Sequence, residues 1–510
     1  MDKDIFTLGI LGLAMIAVAI VTLRRSYQLR ARLRLHCSNL ESGAARSNAG
    51  ALTLGVCLAV SCATGKAETA LTLTPVTIPT KTGTAIEAER GMLRVPLHHA
   101  DPNGPAIEIA FLRVRGAKPQ SAPATFVLAG GPGDSGIRVV TQMFAAGEGI
   151  RSVLKGDVIG IDQRGSGESK PNLAVAGRYG FSLTEPGDPA AYLRLIKQSC
   201  ALAAKRFSDE GMDLSGFTTL ENADDVDALR AALGYDRINL WGTSYGSQLA
   251  LAALRRHEAH IDRVMLASPV GPDHLWKRPA HIQAALERFG RSEPDLLPLM
   301  ERVLQDLKSH PVEVKLKHPI AGSEVTMGVG AFDVQLWTWY QLSQLETMKR
   351  LPEAYRAMAN GDFTEPARGL AGFRSVAGIG SAMNHVMDAA TGCSDRRRKQ
   401  IEEEKTDFIL GDIANFVDGY AKSAAWSVPR IDAEFFEPVR SSRPILVVCG
   451  EYDVKTPLEN AHEILATLPQ GRLLTVNDEG HGFRPRPDVL EVVTGFFNEV
   501  ELPASAANGR

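Results

Sequence analysis

Apolar positions along this chain fall into two rhythms. Short runs rich in Val, Ile and Leu recur as TFVLAG (125–130), DVIGID (157–162), RINLWG (237–242), RVMLAS (263–268), PILVVCG (444–450) and RLLTVND (472–478), mostly bounded by Gly or Asp. Continuous apolar runs of this length read as buried strands. Between several of them lie helical patterns, such as NADDVDALRAALG (222–234) and SQLALAALRRH (247–257). Strands alternating with helices imply βαβ units and a mostly parallel sheet covered on both faces. Upstream, RVPLHHADPNGPAIEIAFLRVRG, from residue 94, reads as two strands joined by an Asp-Pro-Asn-Gly turn.

The strand rhythm stops between about 272 and 440, where the pattern is mainly helical, with VQLWTWYQLSQLETMKRL and LPEAYRAMANGDF as the clearest pieces, and resumes at Pro444. An insertion of this size between core strands reads as a cap over the carboxyl edge of the sheet, the edge at which open α/β sheets bind ligands. The predicted organisation is an export or membrane segment with a basic linker (1–67), an α/β core from 68–271 and 441–510, and a helical cap over 272–440.

The N-terminus departs from this pattern. IFTLGILGLAMIAVAIVTL (5–23) is uncharged and about as long as a bilayer-crossing helix, and Arg24, Arg25, Arg30, Arg32 and Arg34 follow it, which would hold this flank in the cytoplasm. A second run, ALTLGVCLAVSCA (51–63), has the length of a signal-peptide core, with GKA (65–67) as a small-residue cleavage site. The expectation is an exported catalytic part, periplasmic or extracellular, with N-terminal membrane association through 5–23. The formal net charge of −3 gives no basic footprint for a nucleic-acid partner. Beyond Ala67 there are three cysteines; Cys449 sits inside an apolar run, which leaves Cys200 with Cys393 as the candidate disulfide.

The chemistry follows from position. GTSYG (242–246) fits G-x-S-x-G directly after one strand run and directly before one helical run. That context makes Ser244 the candidate nucleophile, with Gly242 and Gly246 letting strand and helix approach. The helix N-terminus and the Tyr245 N–H would favour a developing oxyanion. A serine hydroxyl needs a base, and the base a carboxylate. Asp453, in GEYDVKTP after a late strand, and His481, in NDEGHGF after the last strand, supply these in the order serine, acid, histidine. His462 lies within a helical pattern, and Asp478 shares the loop of His481, so both are poorer placed. A rival serine, Ser135 in GGPGDSG, suggests a chymotrypsin-type nucleophile. That would require an all-β chain with a histidine and an aspartate well upstream, where only HHAD (98–101) is available, and Ile137 stands where a second glycine is expected.

GGPGDSG (130–136), DQRGSGES (162–169), GTSYGS (242–247), GEYDVKTP (450–457) and GHG (480–482), in this order, resemble the signature of the proline iminopeptidase and tripeptidyl aminopeptidase family of α/β-hydrolases, over roughly residues 90 to 500. The resemblance implies the α/β-hydrolase fold and an oxyanion-hole N–H from Gly131, with Gly130 as alternative, acting beside Tyr245. It also implies a structural role for Arg164, paired with carboxylates that brace the site. Ala129 and Lys455 depart from residues common in the family. Acidic cap residues that grip a peptide's free amino terminus are a family property that no local motif locates here. The expected function is an exported serine aminopeptidase acting through an acyl-enzyme on Ser244. The alternatives are an esterase, lactonase or amidase acting on a small molecule with the same triad, and a silent membrane-tethered binding protein. No metal or other cofactor is expected, since no His, Cys or carboxylate cluster shows ligand spacing.

Overall fold

The computed structural model describes residues 71–118, 122–146, 149–416, 425–482 and 486–498. The runs at 5–23 and 51–63, the basic linker and the cleavage site lie outside these residues. Among the described residues no helix is long and apolar enough to cross a membrane.

Nine strands form one sheet: β1 (Leu71–Pro79), β2 (Ala85–Pro96), β3 (Ala106–Val114), β4 (Ala124–Leu128), β5 (Val158–Ile161), β6 (Ile238–Thr243), β7 (Ile261–Ala267), β8 (Ile445–Gly450) and β9 (Gly471–Val476). Their order is β1-β2-β3-β5-β4-β6-β7-β8-β9. The first four in that order pair antiparallel, and the run from β5 to β9 is parallel throughout. The sheet is that of an α/β-hydrolase.

Alternation within the central strands divides the core in two. In β7 and β8, Val264, Leu266, Ile445 and Val447 join the apolar cluster on one face, while Met265, Ala267, Leu446 and Val448 join the cluster on the other. Helices Thr219–Ala232 and Tyr245–His257 supply Val226, Leu229 and Leu249 to the first face, and helices Gly136–Ala145 and Pro487–Phe497 supply Val140, Phe144, Val493 and Phe496 to the second. Every residue of β4, β5 and β8 is buried, which explains why these strands read as unbroken apolar runs.

The chain leaves β4 through Gly136–Ala145 to reach β5 on one side, then returns to place β6 on the other. The carboxyl ends of β4 and β6 therefore flank a topological switch point, with Leu128 in register with Gly242. Between β7 and β8 the chain is mainly helical, as expected. It also contains an antiparallel hairpin, Val312–Lys317 with Glu324–Val329, that the helical pattern did not anticipate. The stretch at 334–351 divides into Ala331–Gln341 and Leu345–Met348 rather than forming one helix.

The expected disulfide is corrected: Cys200, Cys393 and Cys449 are buried thiols, and no disulfide joins Cys200 to Cys393. Cys200, on helix Pro189–Asp209, belongs to the main core and lies 3.3 Å from His385 Nδ1. Cys393 packs in a separate small cluster with Trp276 and Ile401. Burial raises the Cys393 thiol pKa to about 11, so it remains a protonated apolar group.

Candidate active site

Ser244 occupies the turn between β6 and helix Tyr245–His257 with φ 53° and ψ −124°. A non-glycine residue held there stores about 1–3 kcal/mol of strain, a cost that surrounding packing must enforce. Two glycines provide that packing. A Cβ on Gly246 would lie 2.0 Å from the Leu128 carbonyl oxygen, and one on Gly242 would lie 2.3 Å from the Gly246 carbonyl oxygen. Strand β4, strand β6 and the helix thus meet with no room for side chains, and the serine is forced out over the carboxyl edge. Ser244 N–H is spent on Ala267 O at 2.9 Å. The Tyr245 N–H lies in the first helical turn, where no intrahelical acceptor exists.

Asp453 follows β8 and is fully buried. His481 follows β9, and its Nδ1 lies 3.2 and 3.1 Å from the two Asp453 carboxylate oxygens. The Thr456 N–H and hydroxyl donate to the same carboxylate at 2.8 and 2.7 Å. Burial alone would raise the Asp453 pKa; the His481 ring and these hydrogen bonds outweigh it and hold the carboxyl below its usual range. The carboxylate therefore stays ionised and fixes the imidazole through Nδ1, leaving Nε2 without a role in that pairing. The rivals fall away on location. His462 lies within helix Leu458–Leu465, and Asp478 is exposed and paired with Lys349.

Ser244, His481, Gly130 and Gly131 line one cleft of about 600 Å³. No hydrogen bond joins Ser244 Oγ to His481 among the described residues; such contacts commonly tighten only when substrate is bound. The insertion contributes Trp339, Tyr340, Asn384 and Asp388 to the lining, and Lys277 and Lys455 add cations. A second cavity of about 540 Å³, lined by Asp273, Arg396 and Arg430 among others, contains no member of the triad.

The glycine loop after β4 is held by groups that the sequence alone did not single out. Gln163 donates through Nε2 to Ala129 O at 3.0 Å and Gly130 O at 3.1 Å, and accepts from Gly133 N–H at 3.0 Å. It thereby fixes two of the loop's carbonyls and one of its N–H groups. Gly130 lies against Ser244, since a Cβ there would be 3.2 Å from Ser244 Cβ. Gly131 has φ 106°, a conformation suited to glycine. Both alternatives for the loop's oxyanion donor therefore lie beside the cleft.

Ser135 is accounted for without nucleophilic chemistry. It is the N-cap of helix Gly136–Ala145, accepting from Arg138 N–H at 3.0 Å, and its hydroxyl donates to Asp162 at 2.6 Å. Asp162 also accepts from Ile137 N–H and Glu168 N–H. A Cβ on Gly167 would lie 2.0 Å from Asp162 Oδ2, so the GGPGDSG and DQRGSGES stretches form one interlocked unit. Arg164 is fully buried, forks onto Asp225 at 2.8 and 2.7 Å, and donates to Leu97 O and Gly216 O. Lys455 donates to Trp339 O at 2.9 Å, and its ammonium lies 3.2 Å from the centre of that indole ring.

Comparison with known proteins matches this arrangement. A family model described as "alpha/beta hydrolase fold" matches residues 130–287, which hold the glycine loop and Ser244. One described as "TAP-like protein" matches 414–508, which hold Asp453 and His481. The chain is 25% identical over 418 residues to a tripeptidyl aminopeptidase of Streptomyces coelicolor, covering 77% of each sequence. It is 26% identical over 189 residues to serine protease Hip1 of Mycobacterium tuberculosis, covering 36% of each. It is also 30% identical over 125 residues to a probable proline iminopeptidase of S. coelicolor, covering 23% of this chain and 38% of that one.

Proposed function

Since the chain belongs to the proline iminopeptidase and tripeptidyl aminopeptidase-like family of α/β-hydrolases, we propose that this hydrolase is an exported serine aminopeptidase releasing residues or short peptides from the amino ends of peptide substrates. The observation that carries the assignment is His481, held by the buried Asp453 carboxylate, lining one cleft with a strained Ser244. His481 Nε2 takes the Ser244 proton as Oγ attacks the scissile carbonyl, and Asp453 stabilises the imidazolium so formed. The Tyr245 N–H and the Gly131 N–H, with Gly130 as alternative, receive the oxyanion. The amine leaves with the proton from His481, and water then hydrolyses the acyl-enzyme by the same route. No step calls for a metal or other cofactor.

Preference for a free amine is supported by Asp388, a buried carboxylate in the cleft wall on helix Ala382–Thr391. Export is supported by the apolar runs at 5–23 and 51–63. The deciding experiment compares turnover of matched peptide amides with free and acetylated amino ends. An aminopeptidase loses most of its kcat/KM on acetylation, whereas equal rates would reject this function and favour an amidase or esterase with the same triad.

A further inference from the structure

Outside the cleft, two packed helices bring a second set of chemically competent side chains together. Asp224 and Asp227 lie on helix Thr219–Ala232. His257 ends the nucleophile helix Tyr245–His257, and the short turn Glu258–His260 follows it. His260 Nδ1 lies 2.7 Å from Asp227 Oδ1, and His257 Nδ1 lies 3.7 Å from Asp227 Oδ2. One donor atom from each of Asp227, His257 and His260 lies within 4.8 Å of the other two. We infer that these three residues form a binding site for a divalent transition cation of the zinc type, independent of the hydrolytic cleft.

Three features argue for a metal rather than a simple ion pair. The 3.7 Å gap between His257 Nδ1 and Asp227 is too long for a hydrogen bond. It is close to the roughly 3.4 Å that separates two donors sharing one tetrahedral ion at about 2.1 Å each. On the other side of its ring, His257 Nε2 lies 2.8 Å from Asp224 Oδ1. With Nε2–H donated to that carboxylate, the Nδ1 lone pair points toward Asp227; a carboxylate holding the far nitrogen of a ligand histidine is the usual outer support of such sites. Both histidines also sit at a helix C-terminus, whose carbonyl end favours a cation. Two imidazoles with one carboxylate suit zinc, cobalt or nickel better than magnesium or calcium, and water would complete the coordination.

The arginines nearby set the terms of binding. Arg230 donates to Asp227 Oδ1 at 2.6 Å and to Oδ2 at 3.3 Å, and Arg256 forks onto Asp224 at 2.7 Å from both Nε and Nη2. Each carboxylate oxygen has two acceptor positions, so one oxygen can serve an arginine and a cation together. The 2.7 Å His260 contact must open, and the His260 side chain is 41% exposed. His257 lies at the far end of a 13-residue helix from Ser244, about 20 Å away at 1.5 Å per residue. The cation would therefore act structurally. It would tie the end of the nucleophile helix to the helix that carries Asp225, the partner of Arg164.

The test uses the full chain, stripped with a chelator and titrated with cobalt(II), whose tetrahedral sites absorb visibly, while zinc(II) is followed by thermal unfolding. Expected are one equivalent of cobalt absorption, its displacement by zinc, and a raised melting temperature that magnesium does not produce. His260→Ala and Asp227→Asn should abolish both signals, and Asp224→Asn should weaken binding about 10–100-fold. The stripped protein should keep its Ser244-dependent hydrolysis. Should Asp227→Asn fail to fold, His260→Ala decides, because its side chain is half-exposed. No cobalt absorption in the parent protein, or absorption and stabilisation unchanged in His260→Ala, would overturn the site.

Discussion

Gly246→Ala places a single methyl group where the account is most sensitive. The added Cβ would lie 2.0 Å from Leu128 O, 2.7 Å from Leu128 C and 2.8 Å from Ala129 O, all backbone atoms. Real Cβ contacts essentially never fall under 3.0 Å, so β4 and the nucleophile helix must part by about 1 Å. Leu128 and Ala129 lead directly into Gly130 and Gly131, so the movement separates the proposed oxyanion donors from Ser244. A misplacement of about 1 Å costs on the order of 100-fold in rate, equivalent to about 2.7 kcal/mol of barrier. Overpacking adds about 1–3 kcal/mol of destabilisation. The assay is steady-state turnover of a chromogenic peptide amide, run well below the melting temperature, with kcat falling far more than KM rises. Gly149→Ala is the control, because a Cβ there meets nothing within 4 Å. A folded Gly246→Ala protein with undiminished kcat would refute the steric reasoning.

Three further outcomes follow from the same geometry. Gln163→Met should leave Ala129 O, Gly130 O and Gly133 N–H without their partner and lower kcat about 10- to 100-fold, at about 1–3 kcal/mol per stranded group; weaker binding of a boronate transition-state analogue at little-changed KM would check it. Ser135→Ala should cost about 1 kcal/mol through the lost N-cap, read as a lower denaturation midpoint, while fluorophosphonate labelling stays stoichiometric. Burial holds His274 neutral, with its pKa lowered to about 4, and its ring accepts from Gly271 N–H while contacting Glu463 at 2.7 Å. The unfolded chain takes up that proton near pH 6.5, so stability should fall as pH drops from about 6.5 to 4; denaturant midpoints across that range should show a shallower fall in His274→Gln.

What the sequence revealed and what it hid have physical causes. G-x-S-x-G was legible because its strand run, glycines and helical run are contiguous in the sequence, although Gly246 answers a contact with Leu128 far upstream, and the central strands because both faces are buried. The nine-residue edge strand β1 escaped notice, having only one buried position. Helix Pro189–Asp209 was also missed, although Asp188 caps it through Ala190 and Ala191 N–H with Pro189 at its first position, a recognisable start signal. Gln163 and Arg164 stood in a quoted motif, yet Gln163 acts on backbone atoms some thirty residues away and Arg164 on Asp225, 61 residues on. The same distance hid the cluster of Asp227 with His257 and His260, since the spacing of two histidines says nothing about an acid on another helix. The Cys200–Cys393 expectation failed because residue counting carries no information on which core each thiol enters.

The central claim is that Ser244, driven by His481 and Asp453, is the nucleophile. Labelling the full chain with a fluorophosphonate probe and locating the adduct by peptide mass spectrometry tests it directly. The account predicts one adduct per chain, at Ser244, absent in Ser244→Ala and strongly slowed in His481→Ala. An adduct at Ser135, or labelling that survives Ser244→Ala, would contradict it.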